Sequence, residues 1–209
     1  MGRRSDHTRA ELEALIIEAG HALMAEQGYA RFSARTVAKR IGYSVGTIYN
    51  LFGSNDALVL AINTRTFALW AEHLRAALAA AGNDRIRALV EGYFAFASEN
   101  PNLWMAIYDH RLPSTMEMPE EDVRVRASLT GIVVAEIAAA VDLEEDEEIR
   151  ALSRSLIATV HGHCAFALGG SFAMMGESQP LEAALARVRE CLAATHLADR
   201  QRMSGGKQF

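Results

Sequence analysis

Proline is scarce in this 209-residue chain, at four residues, and cysteine scarcer, at two. Cys164 and Cys191 are too few and too far apart in sequence to imply a disulfide framework. Aromatic residues make up only 7% of the chain. With so little proline and so much Ala and Leu, that balance favours packed helices over sheets. Strand-like alternation of any useful length is missing as well. No apolar run approaches the roughly 20 residues that cross a bilayer, and Met1–Asp6 is polar, without the apolar core of a signal peptide. The protein is therefore expected in the cytoplasm, with no membrane partner. Nucleophile motifs, phosphate-cradling loops and metal signatures are also lacking, so neither an enzyme nor a cofactor is expected.

Positive charge is short overall, with a formal net charge of −5, but it is unevenly shared. Residues 1–65 hold eight Lys/Arg against six Asp/Glu, whereas residues 66–209 hold thirteen against twenty. Phosphate backbones attract the first segment and repel the second, so any DNA contact must be local. Between Gln27 and Asn55 there are four basic residues and no acidic ones.

Apolar residues recur at helical spacing nearly throughout, so the fold class is all-α. A first helix is expected from Thr8 to Gln27, closed by Gly28. Two short ones follow, capped by Ser33 and Ser44 and parted at Gly42. Ser54 can cap a long fourth helix that stops before Gly82, and Asp84 opens a fifth. Asn100-Pro101 starts a sixth that reaches about Leu112. Helices from about Pro119 to Val141, Asp146 to Leu168 and Pro180 to Arg200 complete the chain. Six of the seven residues from Asp142 to Glu148 are acidic. They suit a solvated turn before a helix N-terminus, and a calcium loop would need glycine and alternating ligands.

The pair around Gly42 has the make-up of a helix-turn-helix, whose second helix enters the major groove with its N-terminal residues at base edges. Val37, Ala38, Ile41 and Ile48 can lock the two helices together. Small residues at Val45 and Gly46 allow close approach to bases. Thr47 and Asn50 can donate or accept hydrogen bonds, and Tyr49 offers its phenol to a phosphate. Arg35 has the two-pronged geometry that suits guanine. Lys39, Arg40 and the arm Arg3-Arg4 are candidates for backbone or minor-groove contact.

The segment Phe32 to Leu58, above all Thr36-Val37-Ala38 and Gly46-Thr47-Ile48-Tyr49-Asn50-Leu51-Phe52-Gly53-Ser54-Asn55-Asp56-Ala57-Leu58, resembles the DNA-binding signature of the TetR family of bacterial transcriptional regulators. The helical layout of the rest is similar too. The resemblance implies a homodimer with an N-terminal helix-turn-helix domain (1–54), a helical ligand-binding and dimerisation domain (55–203) and a flexible tail (204–209). It implies DNA contacts at Ser33, Arg35, Ser44, Val45, Thr47, Tyr49 and Asn50. Leu51 and Asn55 stand where the family usually has His and Lys. Asn55 can still hydrogen-bond a phosphate but adds no charge, which lowers the expected affinity or salt dependence.

Glu99-Asn100-Pro101-Asn102-Leu103-Trp104 and His161-Gly162 resemble a subgroup whose C-terminal domain carries a Trp and then a His-Gly pair in its penultimate long helix. Leu156 or Ile157 stands where the Trp preceding that pair would be sought. The family places its ligand among the middle helices, which makes Tyr93, Phe94, Phe96, Trp104, Met105, Tyr108, His110, His161 and Phe166 candidate lining residues. Such a lining suits a hydrophobic or aromatic small molecule. His161 and Cys164 share a helix face while His163 points elsewhere, so no zinc site closes and no metal is expected. Two stripes, Leu152-Leu156-Val160-Ala167 and Leu181-Leu185-Val188-Leu192-Thr195, fit a four-helix dimer interface. The implied function is a repressor released from a pseudo-palindromic operator by its effector, with the fourth helix as the natural lever. A ligand-independent DNA-binding regulator or activator is the alternative.

Overall fold

The structure, a computed structural model, describes residues 7–205, with side chains to residue 198. The arm Arg3-Arg4 and the last four residues lie outside these. Every regular element among the described residues is helical. They fall into two compact units, one of residues 7–70 with 99–127, the other of 71–98 with 128–205. These do not part at 54/55, since the start of the fourth helix and residues 99–127 group with the helix-turn-helix.

In the first unit, α1 (Arg9–Gln27) begins with a reciprocal cap: Thr8 Oγ1 accepts from the Glu11 amide at 3.3 Å, and the Glu11 carboxylate from the Thr8 amide at 2.7 Å. Gly28 closes it and a single 3-10 turn, Tyr29–Arg31, leads on. The helices α2 (Ala34–Ile41) and α3 (Val45–Phe52) follow, then the first part of α4 (Asn55–Ala80). From further along the chain come α6 (Pro101–Asp109) and the start of α7 (Glu120–Val141). Leu12, Ile16, Leu23, Met24, Val37, Ile48, Leu58, Ile62, Leu103 and Ala106 form one buried cluster. Removing a large apolar side chain from water stabilises by about 1.5–3 kcal/mol, so α6 is a structural part of this unit. It ends at Asp109 rather than near Leu112. Residues before a proline are pushed out of helical angles, and Pro113 follows; His110 is already extended, at φ −77° and ψ 112°.

The second unit holds the end of α4, α5 (Arg85–Glu99), the rest of α7, α8 (Glu147–Leu168) and α10 (Pro180–Gly205). No element is expected from sequence between Leu168 and Pro180. There Gly170, at φ 75°, starts a one-turn helix, α9 (Ser171–Met174). At its other end α10 continues through Ser204 and Gly205, beyond the Arg200 and frayed tail read from sequence. The acidic run before α8 is a turn, as expected, with Asp146 accepting from the Ile149 amide at 2.9 Å. Leu156, Val160, Leu185, Val188 and Leu192 are buried within this one chain. Much of each stripe expected at a dimer interface is thus core where α8 packs on α10. A 3.6-residue period marks which face is covered, not what covers it.

Candidate nucleic-acid interface

Both short helices start with the same device. Ser33 Oγ accepts from the Thr36 amide at 3.2 Å, and Ser44 Oγ from the Thr47 amide at 3.1 Å. Between them Gly42 takes left-handed angles, φ 74° and ψ 25°, and the Tyr43 amide reaches back to the Ala38 carbonyl at 3.0 Å. Val37, Ala38 and Ile48 are buried, with Ile41 and Phe52 packed against their cluster. The inward residues thus fix how α3 lies on α2, and the remainder face water.

Several of the residues expected from sequence lie in that remainder. Arg35 and Lys39, four apart and therefore on one side of α2, are exposed. Ser44, Gly46 and Asn50 are exposed, Val45 and Thr47 half-buried, and Tyr49 is 42% exposed. A Cβ on Gly46 would meet only Ser44 Oγ, at 3.5 Å, so packing within the chain gives no reason for a glycine there. Ser33 is constrained. Thr36 Oγ1 donates to the Ser33 carbonyl at 2.6 Å, so the 3.1 Å contact between the two hydroxyls leaves Ser33 as donor. Its hydroxyl retains an acceptor but no free proton for a phosphate. Asn55 is half-buried in the first turn of α4.

Sequence reasoning missed the partners that fix this surface. Glu26 grips Arg40 through two bonds of 2.8 and 2.6 Å, which neutralises one expected backbone contact. His7 Nδ1 meets the Tyr43 hydroxyl at 2.9 Å. Three bonds hold α6. Asn102 donates to the Ala25 carbonyl at 2.7 Å, Asn63 to the Ala106 carbonyl at 3.1 Å, and His110 Nε2 lies 3.2 Å from Asp56 Oδ1. The His110 ring also tilts against Tyr29, with centroids 5.9 Å apart. These contacts of α6 link residues dozens of positions apart, and no local pattern announces such pairs.

The candidate ligand residues divide between the units. Trp104, Met105, Tyr108 and His110 belong to the first; Trp104 is fully buried, its ring 5.5 Å from Tyr108, and Met105 and Tyr108 are 41% and 42% exposed. Tyr93, Phe94, Phe96, His161 and Phe166 belong to the second. There Tyr93 Oη lies 3.0 Å from His161 Nδ1, and burial pulls the imidazole below its usual pKa. Phe96 packs edge-on to His73, Phe94 is buried, and Phe166 is half in water against Phe172. A wholly apolar cavity of about 40 Å³ sits in this unit, lined by Leu74, Leu89, Val90, Tyr93, Ile137, Leu156, Val160 and others. Burial raises the Cys164 thiol to about 12, which keeps it protonated and inert.

Two family models match this chain. One, described as bacterial regulatory proteins, tetR family, covers residues 16–62. The other, tetracyclin repressor-like, C-terminal domain, covers residues 86–196, more than half of the chain. The chain is 25% identical over 145 residues to the HTH-type transcriptional regulator Rv1816 of Mycobacterium tuberculosis. That match takes in 68% of this chain and 62% of the relative, so less than two thirds of the relative's length is spanned. Among solved structures, a protein of unknown function from Rhodococcus sp. RHA1 has TM-score 0.68 at 20% identity, over 92% of this chain and 98% of that one. A tetR-family transcriptional regulator from Streptomyces coelicolor has TM-score 0.64 at 17% identity, over 98% and 87%.

Proposed function

Because the chain belongs to the TetR family of bacterial regulatory proteins, we propose that it binds an operator as a homodimer and represses transcription until a small, largely apolar effector releases it. The observation that carries this reading is the outer face of α2 and α3. Arg35, Lys39, Tyr49 and Asn50 are exposed and have no evident task inside the fold, while Val37, Ala38 and Ile48 on the inner side are buried. Two such faces about one DNA turn apart read a pseudo-palindrome. No helix among the described residues is long and apolar enough to cross a membrane.

For the dimer, the support lies on the outer side of α8. Ala151, Ser155 and Ala158 are exposed at helical spacing, and a Cβ on Gly162 would meet nothing within 4 Å. Small residues with open space before them suit close approach by a second copy of the helix. For release, the support is the anchoring of α6. An effector that favours a displaced α6 would loosen the holds on Ala25, at the end of α1, and on Asp56, at the start of α4. Release needs differential affinity for the two states; tight binding alone shifts nothing.

Selection of bound duplexes from a random pool tests the reading, first with the native chain and then with Arg35→Ala and Tyr49→Ala. A palindromic motif is expected, with each substitution weakening binding to it roughly 5- to 100-fold, as lost base or phosphate contacts of about 1–3 kcal/mol dictate. A folded protein that enriches no motif would overturn the reading. A motif whose affinity no metabolite alters would leave the ligand-independent regulator.

A further inference from the structure

Arg126, on α7 in the first unit, is half-buried. Its guanidinium carbon lies 4.5 Å above the ring of Phe67 on α4. Arg40, Arg85, Arg87 and Arg189 each hold a carboxylate in this structure. Arg126 holds none among the described residues, and its Nε is shut away from solvent without a hydrogen-bond partner. Asp122, one turn back along α7, acts on it only through space; burial outweighs that attraction and lowers the guanidinium pKa.

An exposed arginine needs no partner, because water solvates it. One taken partly out of water does, and an unmet charge–hydrogen-bond demand is costly. The guanidinium carbon sits over the Phe67 ring, and the N–H donors of a guanidinium lie in its own plane, along its edge. That edge fits a planar acceptor with two oxygens, the geometry of a carboxylate.

We propose that Arg126, stacked on Phe67, receives the carboxylate of a small organic acid. The site gives the proposed effector a chemical class, an apolar body bearing an acid group, and rests on that reading only for its consequence at the operator. Binding itself needs no DNA. Because the site lies in the unit that carries α2 and α3, an acid bound there acts on the same folding unit that reads DNA.

The test uses the full chain without DNA. Calorimetric titration and thermal shift compare sodium octanoate and sodium benzoate with octanamide and benzamide, for the native chain, Arg126→Lys and Arg126→Met. At least one carboxylate should bind at millimolar concentration and raise the melting temperature, with its amide roughly tenfold or more weaker. Arg126→Met should lose roughly 10- to 100-fold in carboxylate affinity and Arg126→Lys less, since it keeps the charge but not the fork. Without ligand, Arg126→Met should melt no lower than the native chain, because an unmet charge has been removed. Equal binding of acid and amide, no binding of either acid, or undiminished acid binding by Arg126→Met would overturn the proposal. So would a marked loss of stability in Arg126→Met, which would make the arginine a structural partner. An operator found without any acid response would sink this inference and leave the proposed regulator standing; an acid response without an operator would do the reverse.

Discussion

His21 shows how one side chain sets a pH limit on the fold. It is partly buried on α1 near the positive charge of Arg65, and desolvation, with Arg65 second, lowers its pKa to about 4 from an ordinary 6.5. Its ring Nε2 is buried without a partner, which a neutral imidazole tolerates better than a charged one. Between those two values the unfolded chain binds a proton that the folded chain refuses. Stability from this group is therefore fully present above about pH 6.5 and is lost as the pH falls toward 4. We expect His21→Leu to flatten the fall in melting temperature across that window relative to the native chain. Parallel pH profiles for the two proteins would show that His21 is not the group responsible. None of this was legible in the sequence, where His21 is one of seven histidines on an amphipathic pattern.

At the scale of elements, the turn between α2 and α3 depends on Gly42. A Cβ there would meet nothing within 4 Å, so the requirement is one of backbone alone, the left-handed φ of 74°. Gly42→Ala should cost about 1–2 kcal/mol, visible as a melting temperature lower by about 2–8 °C for a chain of this size; an unchanged midpoint would mean the turn can re-form without glycine. Such features were readable because they are local. Ser33, Gly42, Ser44, Ser54 and Asp146 act within four residues of themselves, and the expected helix starts fall where they stand. Three residues of α3, Gly46, Tyr49 and Asn50, were picked out by type and spacing and are exposed. The α8 and α10 stripes misled for the opposite reason. Periodicity gives a face, and whether its cover comes from the same chain depends on pairings over long distances in sequence. The anchoring of α6 by Asn102, Asn63 and His110, and the capture of Arg40 by Glu26, were hidden on the same ground.

For the whole molecule, charge and assembly decide what the surface can do. The chain carries a net −5, so attraction to phosphates near the proposed reading face comes from α2, where Arg35 and Lys39 are exposed, and in the proposed dimer two copies double the phosphate contacts that one can make. If the outer face of α8 joins them, Ala158→Arg should give a folded monomer by sedimentation. Operator affinity should fall at least roughly tenfold, since the two half-sites no longer bind as one. A variant that remains dimeric would move the interface elsewhere. The composition of the first unit has a separate consequence, for evolution and for engineering. Its core takes Leu103 and Ala106 from a segment some forty residues beyond the last of its N-terminal core positions, Ile62. The reading head is therefore not a contiguous cassette. A recombinant crossover at 54/55 would set one parent's Ile16 and Val37 against another parent's α6, so specificity can be exchanged cleanly only by grafting two stretches of chain together, or by changing the outer residues of α2 and α3 where they stand.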